Sequence, residues 1–177
     1  MTSSMRTAGG LAHEPWRSCA GFCGLDVVDQ PSGVLTAGEG RALRRLAEEV
    51  KLGRDLITEF ADRYEPFPGR LAWSQVRELL AVRTLLDRYG LSDPTVGLAP
   101  GGFTEVAVRA RYDGLRAAGR RDRAAALAAV AAHACDVIAL LGRDLAATTA
   151  PDVRHTCLHV LAAAHQQLRV VQAWSSR

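Results

Sequence analysis

The chain has 177 residues and a mass of 19.0 kDa, with 48% apolar residues, 23% charged residues and a formal charge of +3. This suits one domain of ordinary size and excludes a wholly disordered chain, a collagen-like chain and a disulfide scaffold. Only Lys51 among the 22 basic residues is a lysine, and aromatics are 6%; aromatic poverty with heavy alanine use predicts helices rather than strands.

Residues 1–35 are rich in Ser, Gly and Pro without a sustained period and read as a mobile arm, with Trp16 and Phe22 as candidate anchors. Arg6 and Arg17 precede a stretch that glycines and Asp26 interrupt before an apolar core forms, so no export signal is expected. The expectation is a cytoplasmic protein with reduced thiols. His13, Cys19 and Cys23 could meet a metal, but zinc sites use four ligands at tighter spacing, and unconnected small residues are the plainer reading.

Residues 36–177 read as the folded domain. Thr36 and Glu39 have capping-box spacing, and Leu43, Leu46, Val50, Ile57, Phe60 and Tyr64 follow at helical spacing until Pro66 and Pro68. A second helix is predicted from about Arg70 to Tyr89, ended by Gly90. A shorter one opens at Thr104 and closes at Gly119. The fourth, about 122–147, is alanine-rich, so its neighbours can approach closely. Thr149 is expected to cap the last helix, with Pro151 at its first position. Four long helices result, with a short one between the second and third.

No run approaches about 18 uninterrupted apolar residues, so no membrane span is expected. Nucleic acid is not an expected partner either, because the densest basic run, 116–123, is short and lacks an aromatic platform. Ser74 has no neighbouring histidine on its helix face, and no Gly-Lys-Ser/Thr follows Gly101-Gly102, so neither a hydrolase nor a phosphate loop is indicated.

Polar residues on the buried stripes carry the chemistry. Glu49 lies on the first helix, Gln75 and Glu78 on the second, His133 on the fourth and Gln167 on the last. A buried carboxylate is costly unless paired, hydrogen-bonded or metal-bound. Facing helices that each contribute an inward acid or histidine are how helical bundles build di-metal sites.

Residues 48–55, Glu-Glu-Val-Lys-Leu-Gly-Arg-Asp, resemble the first-helix signature of a prokaryotic ferritin-like domain family of unassigned function. The similarity continues through 85–91 and Asp93-Pro94, at Gly102-Phe103, Tyr112-Asp113 with Leu115 and Gly119, at 151–154, and at Leu168-Arg169, covering about 40–174. The resemblance implies an all-α, ferritin-like four-helix bundle whose relatives look able to hold two metal ions between helices. This chain departs from the pattern where ligands are implied. Gln75 and Glu78 stand for Glu-x-x-His, His133 and Ala134 for adjacent acids, and Gln167 for a histidine; only Glu49, or Glu48 if the register slips by one, is unchanged.

Three arrangements stay open. Gln75, Glu78, His133 and Gln167 form a satisfied polar network; or Glu49, Glu78 and His133 hold a single Fe, Mn or Zn ion; or these groups face solvent. His155 and His159, one turn apart, read as a solvated pair. The expected protein is a non-catalytic binding or structural module without a cofactor, meeting a protein partner or another copy of itself. The alternative is a metal-binding oxidoreductase or iron-handling protein with altered ligands.

Overall fold

The computed structural model describes residues 26–176. His13, Trp16, Cys19, Phe22 and Cys23 lie outside the described residues. Among these residues the chain is all-α, with five α-helices and no strand. They are α1 (Ala37–Arg63), α2 (Leu71–Arg88), α3 (Val106–Gly119), α4 (Arg123–Ala147) and α5 (Pro151–Ser175).

The capping box at the start of α1 forms as its spacing predicts. The Glu39 amide donates to Thr36 Oγ1 at 3.2 Å, and the Thr36 amide donates to Glu39 Oε2 at 2.9 Å. Asp122 caps α4 by accepting from the Ala125 amide at 2.7 Å. Two helix starts differ from expectation because carboxylates of α1 claim the threonines. The Thr104 amide and hydroxyl donate to Glu48 Oε1, and α3 begins two residues later at Val106. Thr149 does not cap α5: its amide and hydroxyl donate to Glu39 Oε1 at 2.6 and 3.0 Å, and the cap position falls to Ala150, with Pro151 first in the helix.

Helix α1 packs against α2, α3 and α4, while α5 packs against α2 and α4. Side chains of α1, α2, α4 and α5 therefore share an interior, and α3 covers the α1–α4 side. Buried alanines on α4 (Ala126, Ala129, Ala134) permit the close approach. Gly119 is required where it stands, since a Cβ there would lie 2.2 Å from Phe60 Cζ. Helix α4 is also long and apolar enough to cross a membrane by length and composition, although no uninterrupted apolar run announces it. A core helix has the same properties, and half of its most apolar window is buried against the rest of the fold.

The end of the expected arm is packed down. Residues Asp26–Asp29 form a 3-10 turn with Val27 fully buried. The Arg88 guanidinium donates to the carbonyls of Val27, Val28 and Gln30 and to Asp152 Oδ2 at 2.9–3.2 Å. Tyr89 adds a hydroxyl bond to Asp152 Oδ1 at 2.7 Å.

Among the described residues the apolar interior forms two clusters. One gathers Leu43, Leu46, Val50, Leu79, Val137 and Val160, and the other Leu52, Leu56, Phe60, Leu127, Val130 and Val171. On α2, α4 and α5 the residues that separate the two clusters along the helix are polar: Gln75 and Glu78, His133, and Gln167.

Candidate functional site: a buried polar layer

This layer is built from stripe positions on α2, α4 and α5. Gln75 and Glu78 lie three apart on α2 and so project side by side; His133 enters from α4 and Gln167 from α5. All four are no more than 4% exposed, and all four line one small cavity of about 10 Å³, the size of a single water molecule. On α1 the facing position is Gly53. A Cβ there would stand 2.7 Å from both Gln75 Oε1 and His133 Nε2. The glycine thus gives these two side chains their space.

The layer bonds largely to itself. Gln75 Nε2 donates to Glu78 Oε2 and to Gln167 Oε1, both at 3.1 Å. Ser74 Oγ donates to the second Glu78 oxygen at 2.7 Å. Burial pushes the Glu78 carboxyl up to about 7, against the opposing pull of Ser74, Arg77 and Gln75. Burial, reinforced by the charge of Arg111, pushes His133 down to about 3, so its imidazole is neutral. Among the described residues, His133 Nδ1 and Gln167 Nε2 are buried without a protein partner.

Glu49 is buried but does not line this cavity. Its carboxylate accepts from the Arg111 guanidinium of α3, with Arg45 Nε 3.8 Å away, and Arg111 Nε also stands 3.8 Å from Asp136. Of the candidate ligands, then, Glu78 and His133 meet beside Gln75 and Gln167, while Glu49 turns to an arginine. Arg111 is the participant that sequence reasoning missed. It adjoins Tyr112 on the inward stripe of α3, and nothing in helical spacing says that it reaches across to α1.

Glu48 and Glu49 are both 1% exposed, and their roles divide. Glu48 holds Thr104 and Glu105 at the start of α3. Lys51, also 1% exposed, bonds Asp55 at 2.5 Å and the Ala99 carbonyl at 2.9 Å, and Asp55 accepts from the Gly101 amide at 3.0 Å. The stretch 48–55 is therefore largely a clamp on the loop that leads into α3. His155 and His159 bring their rings to 4.4 Å on α5. Cys135 and Cys157 are free thiols, the latter pushed up to about 12 by burial. Among the described residues no three His, Cys, Asp or Glu side chains are grouped to hold one ion.

Residues 39–173 match the family described as Uncharacterized protein domain (DUF2202). The chain belongs to this family. Its DUF2202 domain thus takes in all five helices, apart from the first residues of α1 and the last of α5, together with every residue of the polar layer. The crystal structure of a hypothetical protein from Methanococcus jannaschii DSM 2661 is similar, with a TM-score of 0.79 at 22% identity over 82% of this chain and 84% of that one. At that identity the likeness concerns the fold alone. No curated protein matches the chain.

Proposed function

We propose that this DUF2202 domain is a ferritin-like four-helix bundle, with α3 as the extra short helix, in which a di-metal position has become a protein-only polar layer. On this reading the domain is a non-catalytic binding module. The observation that supports it most is the Gln75 amide, which bonds both Glu78 and Gln167 at 3.1 Å. Two divalent ions need several anionic ligands. The residues here offer two neutral amides, a neutral imidazole and one carboxyl already bonded to Ser74 and Gln75. Glu49, the remaining acid, has a cation of the chain's own in Arg111. These residues do not fit a di-metal centre.

The second reading, one Fe, Mn or Zn ion on Glu49, Glu78 and His133, draws support from the unpartnered His133 Nδ1. It requires Glu49 to leave Arg111. Thermal unfolding with excess Fe²⁺, Mn²⁺ or Zn²⁺, and again with a chelator, separates the two, since a ligand of the folded state raises its melting temperature. The polar-layer reading expects unchanged melting throughout. A rise with one metal that disappears in both Glu78→Ala and His133→Ala would establish the second reading instead.

A further inference from the structure

A cleft of about 560 Å³ opens between the α1–α2 connection, α2 and α5, a volume typical of small-molecule sites. Arg70, at the cap position of α2, and Ser74 and Arg77 of that helix line it at i, i+4 and i+7, so one stripe of α2 and its cap faces it. Helix α5 contributes Gln167, Val170 and Trp174, and Phe67 and Leu71 complete an apolar wall. Among the described residues no Asp or Glu lines the cleft. Its charge complement is therefore an anion.

The two arginines differ from those around the polar layer. Arg111 and Arg45 face Glu49, whereas among the described residues neither Arg70 nor Arg77 has an acidic partner within 4 Å. Both are exposed, and Arg77 acts on Glu78 only through space. The first amides of α2 are already taken by the Pro68 and Gly69 carbonyls, and the Ser74 hydroxyl proton by Glu78, so the guanidinium groups supply the available charged donors. At the floor, Gln167 lines both this cleft and the central cavity, is 4% exposed, and keeps an amide nitrogen without a protein partner.

We propose that this cleft binds a small amphipathic carboxylate. Its head sits between Arg70 and Arg77 beside the Ser74 hydroxyl, and its apolar body lies along Leu71, Val170 and Trp174. Guanidinium groups bond carboxylates through charge-assisted pairs, and the apolar wall gains by removing the body from water. A dianionic head is disfavoured because the Glu78 carboxyl stands directly behind Ser74.

The test is titration calorimetry of the full chain with decanoate, decanol and decyl phosphate. Decanoate is expected to bind saturably at one per chain, about tenfold or more tighter than decanol, as a charge-assisted hydrogen bond would give, and at least as tightly as decyl phosphate. The double substitution Arg70→Ala, Arg77→Ala should bring decanoate to the level of decanol and leave decanol unchanged; both positions are exposed, so the melting temperature should hold. Ala163→Trp, which fills the cleft, should abolish both. No saturable binding of decanoate, decanoate binding indifferent to the double substitution, or tighter binding of decyl phosphate would each overturn the proposal. The inference rests on the binding-module reading, and the two fail separately. A metal-free chain that ignores decanoate loses the cleft only, and a metal-holding chain that binds it loses the non-metal reading only.

Discussion

Gly53 and Glu78 set the terms of the polar layer at the scale of single residues. A methyl group at Gly53 would press on Gln75 Oε1 and His133 Nε2 at 2.7 Å. Gly53→Ala is therefore expected to destabilise the fold by about 1–3 kcal/mol, the usual cost of overpacking, despite the better helix propensity of alanine; urea unfolding measures it. Glu78, with a folded pKa of about 7 against an ordinary 4.5, holds its proton more tightly folded than unfolded. Its contribution is fully present below about pH 4.5 and is lost as pH rises through 7, an effect of about 3 kcal/mol at most. Glu78→Gln keeps the shape and removes the charge, so its stability relative to the native chain should grow steadily from pH 5 to pH 8. A difference independent of pH would contradict the burial assigned to this carboxyl. His133 works in the opposite sense. Its pKa falls from 6.5 to about 3, so the stability it supports is present above pH 6.5 and is lost as pH falls through 3. The two trends oppose each other between pH 4.5 and 6.5, where a plateau is expected in the contribution of this layer.

At the scale of elements, carboxylates of α1 fasten the connections between helices. Glu39 accepts from Thr36 on one side and from Thr149 and Ala150 on the other, tying the start of α1 to the α4–α5 turn. Burial would raise its pKa, but the amides of Thr149, Thr36 and Ala150 and the Thr36 hydroxyl outweigh burial and hold it at about 2. Glu39→Ala removes both the capping box and this tie, and a loss of about 2–3 kcal/mol is expected in denaturant unfolding. Much of this scale was legible in the sequence. The capping box, the alanine-rich α4, Pro151 at the start of α5 and Gly119 at the end of α3 all stand where spacing and residue type place them. The roles of Thr104 and Thr149 were not legible, because each answers to a carboxylate 56 or 110 residues away. Local pattern reports the hydroxyl but not the distant acceptor.

At the scale of the whole molecule, a polar layer divides two apolar clusters, and α2, α4 and α5 give it positions that helical spacing had already marked as inward. That Gln75, Glu78, His133 and Gln167 line one cavity was legible because each interrupts an apolar stripe. That Glu49 leaves the group was not, because its direction is decided by Arg111 on a helix outside the shared interior. Arg111→Ala leaves Glu49 buried without its guanidinium. Discounted for the partial exposure of the arginine, a loss of about 1–2 kcal/mol is expected, read as a lower urea midpoint. The central claim is that the chain's own amides and hydroxyl take the place of metal ions in this layer, while Arg111 draws Glu49 away from it. Elemental analysis of the full chain, purified without chelator from cells supplied with iron, manganese and zinc, tests it most directly. The account predicts metal far below one ion per chain, with no difference between the native protein and Glu78→Ala. One or two ions per chain, lost on that substitution, would contradict it.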